Sequence, residues 1–146
     1  MARTSGNASI PTITQMTYQQ QADTVLIVAH PVQNTWYPIT VPVAFLNARL
    51  YDAMMYVENL LETLEMRIIA DGNVFSGAQA CVAGTEYCAY RDYRSVTNLL
   101  FSTSSSTAPL ILRYTYLETR TVTVSVRKTT NNADNPLHLK VSWAKR

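Results

Sequence analysis

The chain has 146 residues, a net charge of +2, and 47% hydrophobic against 15% charged residues. That balance excludes a disordered tail, and the length suits one domain spanning 1–146 with a single core. The longest apolar run, VLIVA at 25–29, is too short to cross a bilayer, and MARTSGNASIPT lacks the apolar centre of a secretion signal, so a cytosolic protein with no membrane partner is expected.

Residues 1–17, rich in Ser, Thr, Asn and Gln, suggest a loose arm. A strand is predicted from about Thr24 to His30, followed by a turn at HPVQN. In WYPITVPVAF the residues Tyr37, Ile39, Val41 and Val43 share one side, while Pro38 and Pro42 mark an edge or bulged strand, because proline has no backbone N–H to donate to a ladder.

After Asn47, a candidate N-cap, the apolar spacing changes. Leu50, Ala53, Val57, Leu60 and Leu64 step by three and four, Met54, Leu61 and Ile68 widen the stripe, and Asp52, Glu58, Glu62 and Glu65 lie mostly off it. The pattern predicts one amphipathic helix over 48–68, stopped by Asp71-Gly72. The fold class expected is therefore α+β: an antiparallel β-sheet with one long amphipathic helix packed on one face.

Residues 73–93 suggest short strands around Gly77 and Gly84. Cys81 and Cys88 flank VAGTEY, where a turn would bring them opposite each other; a disulfide and two reduced packing thiols both fit, whereas zinc-knuckle and redox spacings do not. DYRSVTNLLFSTSSSTAP suggests a loop with one short ordered turn, LILRYTYL at 110–117 a strand, and Glu118 a break.

The C-terminal part differs in charge. Residues 113–146 hold seven Lys and Arg against two acids, and residues 1–112 hold five against eight, so a basic end follows a mildly acidic body. Within RTVTVSVRKTTNNADNPLHLKVSWAKR, alternation sends Val122, Val124 and Val126 to one side and Thr121, Thr123, Ser125 and Arg127 to the other. Leu137, Leu139, Val141 and Trp143 alternate in the same way with His138, Lys140 and Ser142. Joined as a hairpin through TTNNADNP, the two strands would present one oily face and one acid-free face of hydroxyls and cations. Such a face is either a plain solvated sheet or a platform for phosphates and unstacked bases.

Catalysis has little to draw on. The two histidines, His30 and His138, stand apart, and no paired carboxylate motif, glycine-rich phosphate loop or nucleophile elbow is present, so no enzyme, catalytic residue, metal, cofactor or small-molecule substrate is expected.

VTVSVRKTT at 122–130 with LHLKVSW at 137–143 resembles the RNA-binding hairpin in coat proteins of single-stranded RNA bacteriophages, the leviviruses. ITVPVAFLNARLYDAMMYVENLL at 39–61 is similar to that family's last strand and following helix, although the two units stand here in a circularly permuted order. The resemblance implies an intertwined homodimer whose helices cross onto the partner, assembly into an icosahedral shell in a host bacterial cytoplasm, and a virion location. It further implies a genomic RNA hairpin bound on the inner sheet face by Thr123, Ser125, Arg127, Lys140 and Ser142, with a base stacked on Tyr37 or, in its place, Trp36. Thr121 and His138 join this candidate set from the face pattern. The alternatives are virion proteins that bind no RNA: a jelly-roll capsid subunit, which generally carries a more basic arm than one with Arg3 alone, or a phage tail-tube protein.

Overall fold

The computed structural model describes residues 20–41, 48–92, 94–95, 97–103, 118–119, 122–130 and 134–145. Among them every regular element is a strand: β1 (Gln20–Val28), β2 (Tyr37–Thr40), β3 (Ala48–Val57), β4 (Glu62–Ala70), β5 (Asn73–Cys81), β6 (Tyr87–Arg91), β7 (Leu99–Ser102), β8 (Glu118–Thr119), β9 (Val122–Lys128) and β10 (Leu137–Lys145). The arm expected over 1–17 and the strand expected over 110–117 lie outside the described residues.

The strands form two antiparallel sheets. One runs β1-β10-β3-β6-β7, with β8 added against β3, and the other runs β2-β9-β4-β5. Ranked in chain order with β7 and β8 set aside, the strands are first, eighth, third and sixth in one sheet and second, seventh, fourth and fifth in the other. Among these strands only the β4–β5 connection stays within a sheet. This interleaving is the jelly-roll winding, in which successive strands alternate between two facing sheets.

The helix predicted over 48–68 is absent, and β3 and β4 occupy its place. Leu, Ala, Met and Glu dominate the segment and favour a helix locally, but long-range pairing overrides so weak a preference. Two features create the false period. Tyr51 is a bulge residue, since Asp52 pairs with Ser142 and Leu50 with Trp143, which shifts the alternation by one position. Leu60 and Leu61 then lie in the β3–β4 turn, exposed rather than buried. Read as a strand, Glu62, Leu64, Met66, Ile68 and Ala70 alternate strictly inward. Asp71-Gly72 is a two-residue hairpin turn rather than a helix stop: both residues have positive φ, 48° and 85°, and Ala70 pairs with Asn73. The 48–68 helix that was expected to cross onto a partner is therefore replaced by two strands of one chain's own sheets.

Alternation does hold in β9 and β10, but the hairpin does not form. β9 pairs with β2 and β4, whereas β10 pairs with β1 and β3. Val122, Val124 and Val126 and, from the other sheet, Leu137, Leu139, Val141 and Trp143 are all buried in one apolar cluster with Leu50, Met55, Leu64 and Met66. The connection that carries the chain between sheets is anchored by Asn135. Its Oδ1 accepts from the backbone N–H groups of Asn59 at 2.8 Å and Leu60 at 3.2 Å, and its Nδ2 donates to Leu60 O at 2.8 Å and to Glu62 Oε2 at 3.1 Å. Thr130 Oγ1 donates to the other Glu62 oxygen, and Lys128 Nζ stands 3.9 Å from Glu62 Oε2. Glu62 and Lys128 are thus buried charges of opposite sign, each compensated. With neither β9 nor the sequence from 39 to 61 arranged as the phage coat pattern requires, the levivirus likeness has no counterpart in the fold. β2 is an edge strand, as Pro38 implies, and Tyr37, Ile39 and Val41 face inward.

Cys81 and Cys88 are free thiols. Cys81 belongs to the main core, while Cys88 packs with Met54 and Tyr90 on the outer side of the six-stranded sheet. Burial pushes both thiols up to about 12, with Asp52 and Glu86 adding to the rise at Cys88. Both therefore stay protonated at pH 8, and a disulfide-exchange reagent is expected to leave them untouched in native protein and to titrate two per chain in denaturant.

β5 approaches β7 so closely that a Cβ at Gly77 would fall 2.2 Å from the carbonyl oxygen of Leu99. Backbone must move to accept any side chain, so Gly77→Ala is expected to cost about 2 kcal/mol or more, measured as a lower denaturant midpoint at unchanged slope. Glu62→Ala, which removes the buried carboxylate beside Lys128 and the acceptor of Thr130 and Asn135, is expected to cost about 3–5 kcal/mol by the same measurement.

Candidate nucleic-acid interface

Because β9 and β10 lie in different sheets, their polar sides look outward from opposite surfaces of the sandwich. Thr123, Ser125 and Arg127 are on the outside of the four-stranded sheet; His138, Lys140 and Ser142 are on the outside of the six-stranded sheet. Thr121 lies outside the described residues. The seven-residue platform is therefore split, and neither half is free of acids.

On the six-stranded side, β1 and β3 flank β10 and supply carboxylates. Lys140 Nζ stands 3.8 Å from Asp23 Oδ2, Ser142 Oγ donates to Asp23 Oδ1 at 2.7 Å, and His138 Nε2 meets Glu58 Oε2 at 2.5 Å. The His138 ring also packs edge-on against Tyr56, with 4.5 Å between centroids. Asp52, opposite Ser142, and Glu86, on a 190 Å³ cavity that His138 and Lys140 also line, add two more acids. Among the side chains described on this face, four carboxylates surround one lysine and one imidazole, a field unfavourable to phosphate.

The four-stranded side has the opposite balance. The β4–β9 register sets Glu65 opposite Arg127, Arg67 opposite Ser125 and Ile69 opposite Thr123. Nε and Nη2 of Arg127 reach Glu65 Oε1 at 2.8 and 2.7 Å, so this arginine is already paired. Ser125 is almost wholly buried beneath its neighbours and Thr123 is half-buried. Arg67 has a serine on each side, Ser125 on β9 and Ser76 on β5. Its Nε–H is buried without an acceptor. Over one aromatic ring the two guanidinium carbons come together, Arg67 at 4.1 Å and Arg127 at 4.6 Å from the Trp36 centroid. Among the described residues, two cations and one carboxylate leave this face with a surplus of one positive charge.

Tyr37 takes no part in it. Alternation turns Tyr37 inward with Ile39, and its hydroxyl oxygen accepts from the Val32 backbone N–H at 2.8 Å. Trp36, one position earlier, is the aromatic on the cationic surface. Sequence reasoning passed over Arg67 because it treated 48–68 as helical; read with a period of two, Thr63, Glu65, Arg67 and Ile69 fall on one outward side together.

No protein-family model matches the chain. No curated protein matches it either. Among solved structures, that of tomato aspermy virus aligns over 97% of this chain and 90% of the virus chain, with 10% identity and a TM-score of 0.37. A likeness that loose leaves function to the geometry of this chain itself.

The Glu65–Arg127 pair is partly buried, with about a quarter of each side chain accessible. A double-mutant cycle with Glu65→Ala and Arg127→Ala is expected to give a coupling energy of about 0.5–1 kcal/mol in unfolding experiments. A coupling of zero would mean that the contact adds nothing to stability.

Proposed function

We propose that this chain is a structural subunit of a virion shell, building a closed particle from copies of itself around nucleic acid, with no catalytic role. The jelly-roll winding is shared by capsid, lectin and cupin domains, so winding alone does not choose among them. The observation that favours assembly is the character of one end of the sandwich.

Three connections at that end each present large apolar side chains to solvent: Val32 after β1, Leu60 and Leu61 between β3 and β4, and Val82 after β5, all more than half exposed at 61, 51, 60 and 55%. Backbone hydrogen bonds hold the loops together there, from Asn34 N–H to Lys128 O at 2.8 Å, Glu58 N–H to Pro136 O at 3.1 Å and Gly84 N–H to Val57 O at 2.8 Å. The apolar tips therefore sit on a rigid base. A monomer in water gains nothing from such an end, whereas several copies meeting tip to tip would remove it from solvent. Tips on a tied frame also pay little ordering entropy on association.

The wild-type chain is expected to form uniform closed particles by electron microscopy, with an ultraviolet absorbance ratio showing enclosed nucleic acid. Changing Leu60 and Leu61 together to Asp is expected to leave a folded, soluble chain that does not assemble. A wild-type protein that stays monomeric at high concentration would overturn the reading, and open tubes without nucleic acid would favour the tail-tube alternative.

A further inference from the structure

We infer that the outer surface of the four-stranded sheet, at Trp36, Arg67 and Arg127, holds the phosphodiester backbone of single-stranded nucleic acid, with Arg67 donating to a phosphate oxygen. The inference rests on the shell reading for its cargo but not for its geometry.

The two outer faces differ in a way that selects one of them. On the six-stranded sheet, Lys140 and His138 are each met by a carboxylate, with Asp52 and Glu86 close by. On the four-stranded sheet, Glu65 answers Arg127 only, and the cross-strand neighbours of Arg67 are serines. The Nε–H of Arg67 is withdrawn from water and has no acceptor among the described residues, and a buried donor left without one is costly. An incoming oxygen anion would meet two guanidinium groups held against a single indole. Trp36 fixes both cations in place, so little side-chain entropy is lost when the anion arrives.

A phosphodiester suits the site better than a carboxylate from a second copy. Arginine offers a planar fork that matches phosphate oxygens, and an aromatic with neighbouring hydroxyls is the composition on which single strands are held without sequence preference. Thr40 and Thr123, paired across β2 and β9, extend the same surface with hydroxyls away from Arg127. On the far side of β4, the outward positions of β5 are Val74, Ser76, Ala78 and Ala80, so among the described strand residues they add no acid.

The test uses the full chain, unassembled in the Leu60→Asp, Leu61→Asp background so that binding is separated from particle formation. A fluorescein-labelled oligouridine long enough to cover the roughly 4–16 nucleotides such surfaces engage is titrated by anisotropy at several salt concentrations. Arg67→Ala is expected to weaken binding about tenfold and to reduce the salt slope by about one, whereas Lys140→Ala changes neither by more than about twofold. Arg67→Lys keeps the charge and is expected to retain the slope with a smaller loss. Glu65→Gln, which removes the carboxylate and leaves the cations, is expected to tighten binding severalfold, and it decides the matter if Arg67→Ala does not fold.

Unchanged affinity and slope in Arg67→Ala, with Glu65→Gln also neutral, would overturn the inference. So would inorganic phosphate quenching Trp36 while the oligonucleotide does not bind. If Arg67→Ala in the otherwise wild-type chain abolishes assembly but leaves oligonucleotide binding intact, the surface is an interface between copies and the inference fails. Particles that form normally but lose nucleic acid in Arg67→Ala uphold both readings; oligonucleotide binding that depends on Arg67 in a chain that never assembles upholds the site and removes the shell.

Discussion

The packing of β9 against β10 across the interior, rather than beside each other in one sheet, governs everything else in this molecule. Three valines from one strand and two leucines, a valine and a tryptophan from the other share one apolar cluster. Removing that much hydrocarbon from water is the largest favourable contribution the two strands make. Once their apolar sides face each other, their polar sides must face apart. A jelly-roll winding follows, since each strand returns to a different partner: β9 to β2 and β4, β10 to β1 and β3.

That separation changes the electrostatics. A hydroxyl-and-cation surface assembled from both strands would have been broad and free of acids. Divided between two sheets, each half acquires new neighbours, and the neighbours decide its character. β1, β3 and the turn after β3 bring Asp23, Asp52 and Glu58 to the lysine and histidine of β10, and β4 brings Glu65 to Arg127 but also Arg67. One surface becomes acidic and the other keeps a cationic surplus. The same interior network that ties Glu62, Lys128, Thr130 and Asn135 together holds the crossing from β9 to β10 in place, so surface chemistry depends on buried polar chemistry at the loop end.

That loop end is the second place where packing and proposed function meet. Asn135 satisfies two N–H groups and one carbonyl of the β3–β4 turn, which leaves the side chains of Leu60 and Leu61 directed outward on a fixed backbone. An apolar tip on a mobile loop would fold back onto the protein. Here the turn has no such freedom, and the hydrocarbon is available to another copy.

Much of this was legible in the residues themselves. Strict alternation identified the inward sets of β9 and β10, the prolines placed β2 at an edge, and Gly84 marked a turn, because side-chain direction in a strand and the φ preferences of Pro and Gly are local properties. Partner choice is not local. Nothing in VTVSVRK states whether its ladder bonds go to LHLKVSW or to LEMRIIA, since every strand offers the same backbone donors and acceptors, and only the packing of the whole core selects among them. For the same reason the run from 48 to 68, with helix-favouring residues and a bulge at Tyr51 that disturbs its period, imitates a helix until its neighbours are present. The amino-acid sequence determined which side chains are buried along most strands; tertiary structure alone decided which strands are neighbours, and thereby which cations are met by carboxylates.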